Sequence, residues 1–258
     1  MNLGPLRFWR HLRYHRDIIK HLRWTDMDER RQAFYARLIP QGALVFDIGA
    51  NMGNRSKIFR SLGSPVVAFE PQSYCAEFLR VAFSNDPGFE LEQAALSDHP
   101  GEMTMYLSEA HTLATLDREW MENMRKGGRF PAQDWGRTET VRLDTLESAI
   151  MQHGLPAFMK IDVEGYEYQV LSGLRQPVNC VSLEFAAESE QNIKQCVDHL
   201  DTLGDYGYRL SLGESMQFES GQWLDSASVK AQLEALREAD PLVWGDIYAY
   251  LRATREGL

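Results

Sequence analysis

Two carboxylates with glycines between them are the first residues whose types and spacing suggest chemistry. In VFDIGANMGNRSKIF an apolar run reaches Asp47, turns over Gly49 and Gly53, and enters a helical pattern. Glu70 ends the next apolar run, PVVAFE, 23 residues further on. Gly49 suits a tight turn, and neither glycine has a side chain to block a ligand. The dinucleotide fingerprint G-x-G-x-x-G is absent, because Asn51 stands where its second glycine belongs. The G-K-[ST] of a phosphate loop is absent too. Asp47 would repel a phosphate and welcome a cationic group. A carboxylate at Glu70 can accept hydrogen bonds from two ribose hydroxyls. Together the pair suits a cationic nucleoside, S-adenosylmethionine, better than NAD. The plainer readings are a helix-terminal acid for Asp47, worth about 0.3–1 kcal/mol, and a solvated strand end for Glu70.

A second group lies in MKIDVEGYEYQVLSGL, where Asp162 and Glu164 flank Val163 and Gly165 allows a sharp turn. At the same edge of a parallel sheet these acids would face the first pair. Either could instead cap the following helix. For an acceptor bearing a proton, Asp162 and Glu164 are the first general-base candidates by position. His111 follows, as an imidazole tuned to neutral pH, with an ordinary surface histidine as its plainer reading. Glu184 ends a further apolar run. Asp162, Glu164 and Glu184 could offer oxygen ligands to Mg²⁺. Spacing alone gives no coordination geometry, and no metal is predicted. Trp120 and Trp135 could stack on an acceptor, but packing is the commoner role of large aromatics.

These groups need elements to hold them. From residue 43 short apolar runs alternate with helical periods: ALVFDI, NRSKIFRSLG, PVVAFE, SYCAEFLRVAFSN and FELEQAAL read as βαβαβ. SDHPGEMTMYLSE reads as a turn and an added strand. Residues 108–140 are polar and broken by KGG and FPAQDWG, which suggests a variable insertion or lid. The alternation resumes with AFMKIDV, EGYEYQVLSGL, CVSLEFA and SEQNIKQCVDHLDTLG. YGYRLSL and DIYAYLRA follow as expected edge strands around a helix at KAQLEALREA. The predicted class is α/β, a mostly parallel doubly wound sheet with a late antiparallel edge strand.

Composition narrows the partners. The chain has 258 residues, 44% of them apolar, and a formal net charge of -10. An acidic surface disfavours nucleic acid as a partner. Residues 1–24 run the other way, with Arg7, Arg10, Arg13, Arg16, Lys20 and Arg23 against Asp17 alone. Apolar residues recur there at helical spacing. Residues 1–40 are therefore expected to form a basic amphipathic helical extension, and 41–258 the main domain. That helix would either touch an anionic membrane or acidic partner or, as we favour, pack on its own acidic domain. Cys75, Cys180 and Cys196 have no metal-ligand spacing and are expected to be reduced thiols of a cytoplasmic protein. The first residues lack a signal peptide's apolar core, and no run of 18 apolar residues occurs. Oligomeric state is not readable.

VFDIGANMG, VVAFEPQ, AALSDHPGEMTMYL, RLDTLES and MKIDVEGYEYQVLSGL occur in an order and spacing that resemble the FkbM family of S-adenosylmethionine-dependent methyltransferases. The resemblance runs from about Leu44 to Glu184. Asn51 departs from the wider methyltransferase glycine pattern but fits this family. The resemblance implies a Rossmann-like methyltransferase fold. It implies that Asp47, Gly49, Asn51 and Gly53 line the methionine part of the cofactor, that Glu70 holds the ribose and that Pro71 shapes its exit. It also implies that Ser97 and Asp98 lie near the adenine and Asp162 near the transferred methyl. The implied activity is O-methylation of a small molecule, sugar, glycan or polyketide. A nicotinamide-dependent oxidoreductase and a non-catalytic cofactor-binding protein are the alternatives. A nucleic-acid methyltransferase is disfavoured, since DVEG stands where [DN]-P-P-[YFW] would be expected.

Overall fold

The computed structural model describes Tyr14 and residues 17–126, 129–130 and 133–254. In chain order its elements are α1 (Asp26–Tyr35), β1 (Val45–Ile48), α2 (Ser56–Ser61), β2 (Val66–Phe69), α3 (Ser73–Ala82), β3 (Phe89–Glu92), β4 (Ala95–Ser97) and β5 (Gly101–Leu107). Next come α4 (Arg118–Lys126), β6 (Arg137–Thr145), α5 (Leu146–His153), β7 (Phe158–Ile161), α6 (Glu167–Ser172) and β8 (Cys180–Ala186). The last are α7 (Glu190–Leu203), β9 (Tyr206–Leu212), α8 (Ser226–Ala239) and β10 (Trp244–Leu251).

The main sheet has the order β3-β2-β1-β7-β8-β10-β9. The first five strands in that order are parallel, and β10 is antiparallel to both its neighbours. β1, β2 and β7 are buried along their whole length, as strands covered on both faces must be. Alternation then sorts their side chains. Phe46, Ile48, Met159, Ile161, Val181 and Leu183 go to one face, where α5 to α8 cover them with Ile150, Val170, Val197 and Leu233. Val45, Phe158 and Cys180 go to the other, under Tyr35 of α1, Phe59 of α2 and Phe78 of α3.

That second face also carries a polar row. Asp47 lies opposite Lys160 in register, Lys160 opposite Ser182, and Ser182 opposite Tyr248. Alternation puts Asp162 on the same face, two residues beyond Lys160.

Three expectations change. The stretch FELEQAAL is not one strand: it breaks at Gln93–Ala94, and β4 leaves to join a separate sheet of order β4-β6-β5. The antiparallel strand is present, but β10 sits one place in from the edge and β9 is the edge strand. A hairpin-like return through α8 lets β10 pair on both sides, which suits its almost wholly buried sequence. The helix expected at EGYEYQVLSGL begins only at Glu167.

Residues 108–136 hold a 3₁₀ turn at His111–Leu113 and α4, built on their own small core of Leu113, Trp120, Met121, Met124 and Trp135. Trp135 also donates its Nε1–H to the Leu113 carbonyl at 2.7 Å. Both tryptophans are thus packed. Residues 17–22 are helical. His21 and Tyr14 pack against Phe78, and Lys57 Nζ donates to the carbonyls of His21 and Arg23. The rest of the basic segment, residues 1–13, 15 and 16, lies outside the described residues. All three cysteines are free and buried. Among the described residues no helix is long and apolar enough to cross a membrane.

Candidate active site

The ends of β1, β2 and β7 meet at one edge. Gly49 takes φ +82°, and a Cβ there would fall 1.9 Å from the Asp162 carbonyl oxygen. The turns after β1 and β7 therefore touch, and only glycine permits it. Gly49 N–H donates to the Phe69 carbonyl, and Asp162 N–H to the Ile48 carbonyl. Asn51 follows with φ +50°, a left-handed conformation that asparagine tolerates.

That turn presents its backbone to Glu70. Asn51 N–H donates to Glu70 Oε2 at 2.7 Å, and Gln72 N–H donates to Oε1 at 2.8 Å. Glu70 is only 2% exposed, and burial pushes its carboxyl up to about 7 despite these two donors. Each of its oxygens keeps a lone pair for a further hydroxyl. Asn51 Nδ2 and Gln72 Nε2 both donate to the His111 carbonyl, which ties the inserted segment across the mouth. The adjoining cavity has apolar walls from Phe69, Ala95, Leu96, Met105 and Leu116, with Pro71 and His111 among its lining.

A second, polar chamber of about 220 Å³ adjoins it. Asp47, Arg55, Lys160, Asp162, Glu164, Glu184 and Glu214 line it, and Asp162 and Glu164 line both spaces. Asp162, Glu164 and Glu184 place carboxylate oxygens within 4.8 Å of one another. The set offered by the sequence for Mg²⁺ thus converges, but with Lys160 as a built-in cation beside it, and no metal is assigned. Lys160 Nζ lies 2.8 Å from Asp246 Oδ1 and 3.2 Å from Asp162 Oδ2.

Environment splits these acids. Burial, then the Asp162 charge, drives Glu164 and Glu184 well above the usual carboxylate range. Burial also pushes Asp162 up, but the Lys160 ammonium and a hydrogen bond with Glu184 outweigh it and leave Asp162 below its ordinary value. Asp47, 1% exposed, accepts the Ser56 hydroxyl at 2.5 Å and is raised to about 6, chiefly by burial. Carboxylates pushed apart in this way mark candidate acid and base roles.

Capping of the turn after β7 falls to neither Asp162 nor Glu164. Glu167 accepts N–H bonds from Val163 and Gly165, while Thr115 Oγ1 holds the Glu164 carbonyl and Asn192 Nδ2 the Gly165 carbonyl. These partners hold Glu164 at φ +54°, a costly conformation for glutamate.

Other expected positions lie elsewhere. His111 does not line the polar chamber, because its carbonyl is held by Asn51 and Gln72 and its ring packs against His21 at 5.7 Å. Gly53 lines neither space; its missing Cβ makes room for Leu79 and Phe83. Ser97 is buried beside Tyr166 Oη, and Asp98 turns outward to His99. Neither lines the cavity, where Ala94, Ala95 and Leu96 stand instead. Lys160, Asp246, Arg55 and Glu214 were missed. Lysine inside the apolar run FMKI and aspartate inside WGDIYAYL were the available signals.

Residues 47–210 match the family described as Methyltransferase FkbM domain, which spans the turn after β1, Glu70 and the whole carboxylate cluster. The chain belongs to the FkbM methyltransferase family. It is accordingly an S-adenosylmethionine-dependent methyltransferase. No curated protein matches its sequence. Among solved structures, it is similar to a precorrin-6Y C5,15-methyltransferase from Geobacter metallireducens, at 12% identity over 85% of this chain and 87% of that one, with TM-score 0.45. It is also similar to an O-methyltransferase from Bacillus cereus in complex with SAH, at 13% identity over 92% and 96%, with TM-score 0.39.

The buried acids make its stability depend on pH. Asp47 is raised to about 6, and Glu70 and Glu167 to about 7, in each case first by burial. The folded protein keeps these protons while the unfolded chain has lost them above about pH 4. Stability from these groups is full below that pH and is lost as pH rises through 6 to 7, each group contributing roughly 3 kcal/mol. His21 and His111, lowered mainly by burial, work the other way but are less buried. The unliganded protein should therefore melt at a higher temperature at pH 5 than at pH 8. Calorimetric scans across that range check this, and a midpoint that rises with pH would show that the acids are better solvated.

Proposed function

We propose that this FkbM methyltransferase acts on a hydroxyl oxygen of a polar small molecule, with a sugar or glycan favoured over a polyketide. The observation that carries this is the charged chamber that adjoins the apolar cavity, with Asp162 and Glu164 lining both. Charged and amphiphilic walls suit a polyhydroxylated acceptor better than a hydrocarbon one.

The residues fit the cofactor on their chemistry. Glu70 has acceptor capacity for ribose hydroxyls, Gly49 and Asn51 bring the turn after β1 to the cavity, and the walls by Leu96 and Met105 suit an adenine ring. S-adenosylmethionine, when bound, supplies an activated methyl for in-line displacement. The chain's own work is to orient the acceptor and receive its proton. In this reading the acceptor oxygen gains the methyl carbon and loses its hydrogen to Asp162, the ionised member of the cluster. Glu184, hydrogen-bonded to Asp162, steadies that carboxylate.

Calorimetric titration with S-adenosylhomocysteine and with NADH comes first. Micromolar binding of the former and none of the latter is expected. Radiolabelled methyl transfer to a panel of sugars, primary amines and catechols then tests the acceptor. Label on a sugar oxygen supports the reading, and label confined to nitrogen or to apolar phenols overturns it.

A further inference from the structure

One deeply buried charged residue of the site is a lysine with no part in the scheme so far. Lys160 is 1% exposed, in the middle of a strand that is otherwise apolar. A buried ammonium needs a partner, and Asp246 on β10 provides one at 2.8 Å. Asp246 is held in turn by the Tyr248 hydroxyl at 3.2 Å. The second carboxylate on Lys160 is Asp162, at 3.2 Å, and it is the one exposed to the site. The clamp thus runs from β10 through β7 to the cavity wall.

We propose that Lys160, anchored by Asp246, is the positioning residue that keeps Asp162 an anion, so that the site holds the positively charged methyl donor more tightly than its neutral product. The proposal rests on the methyltransferase reading of the site. Around Asp162, just past the end of β7, stand Lys160 of β7, Glu184 of β8, Glu164 of the same turn, Asp47 of β1 and Arg55 before α2. Burial favours a proton on Asp162, whereas the Lys160 ammonium, the hydrogen bond with Glu184 and the Arg55 guanidinium favour the anion, Lys160 most strongly. Without the ammonium the largest influence opposing burial is gone, and Asp162 takes up its proton at a higher pH. With it, charge at the wall meets the sulfonium of the donor. Transfer of the methyl removes that charge from the ligand, so the contact vanishes and product leaves more readily.

The test needs no acceptor. Dissociation constants for S-adenosylmethionine and S-adenosylhomocysteine are measured by calorimetry from pH 6 to 9, and their ratio is followed. The full-length protein should favour the methionine form, with a ratio that is flat above about pH 6. Lys160→Met should lower that ratio by about tenfold at pH 7, the scale of one charge contact at intermediate dielectric. The ratio should recover as pH rises and Asp162 ionises late. Lys160→Arg should restore the flat profile, and Asp162→Asn should keep the ratio low at every pH. An unchanged ratio in Lys160→Met, or a loss that high pH does not restore, overturns the proposal. If Lys160→Met does not fold, Asp162→Asn decides, and a normal ratio there overturns it. Failure of the unaltered protein to bind either ligand sinks the methyltransferase reading as well, a result distinct from binding both with no preference.

Discussion

Glu70→Gln should weaken S-adenosylhomocysteine binding about 100-fold. The carboxylate is buried, each oxygen takes one backbone N–H, and the residue lines the cavity, where acceptor capacity remains for hydroxyl donors. Two hydrogen bonds from ribose hydroxyls to a charged acceptor contribute roughly 1.5–3 kcal/mol apiece, of which glutamine could keep part of one. Glutamine would also set an amide N–H₂ against the N–H of Asn51 or Gln72, which distorts the turn that Glu70 organises.

A pH signature separates this from a merely structural loss. Burial holds Glu70 near 7 in the unliganded protein, whereas hydroxyl donors favour the ionised form. Affinity should therefore fall as pH drops below 7, and binding at pH 7 should release about half a proton. In Glu70→Gln both effects should disappear. Calorimetric titrations in buffers of different ionisation enthalpy measure the proton directly. Unaltered affinity in the glutamine variant would mean that the ribose contact lies elsewhere.

The second large effect concerns Gly49→Ala, which should lower folding stability by about 4 kcal/mol or more, a loss reserved for clashes that the core cannot absorb. The added Cβ would lie 1.9 Å from a backbone oxygen of Asp162, and a backbone atom in the middle of the sheet edge cannot swing aside. The residue would also have to hold φ +82°. Gly42→Ala is the control. It keeps a positive φ of 72° but has nothing within 4 Å, so only the left-handed strain of roughly 1–2 kcal/mol remains. Urea unfolding of the two variants checks the difference. Equal midpoints would show that the turns after β1 and β7 are not locked together.

Much of this site was legible in the amino-acid sequence because its signals are local. An apolar run ending in an acid, followed by glycine and a helical period, states strand, edge and turn within a dozen residues. Asp47, Gly49, Glu70, Asp162 and Glu164 were placed on that basis, and the alternation of runs gave a mostly parallel α/β sheet. The FkbM family, too, was readable from motifs at the strand ends.

What local pattern could not reach was pairing. Whether FELEQAAL stays in one sheet, and whether β10 lies at an edge or inside it, depends on which distant strand offers free N–H and C=O groups. Periodicity within a segment does not encode that choice. Lys160 and Asp246 illustrate it most plainly, since 86 residues separate them and each looks like a charge out of place in an apolar strand. Only the register of β7, β8 and β10 brings them onto one buried face. Ser97, Asp98 and His111 carry the converse lesson. The family resemblance gave Ser97 and Asp98 to the adenine and the imidazole made His111 a base candidate, whereas which neighbours these side chains meet (Tyr166, His99 and His21) is set by packing. The sequence by itself determined the strand-end acids, the glycine turns and the family. The tertiary structure decided which charges meet, because Coulomb and hydrogen-bond partners depend on distances in space that strand order and register set.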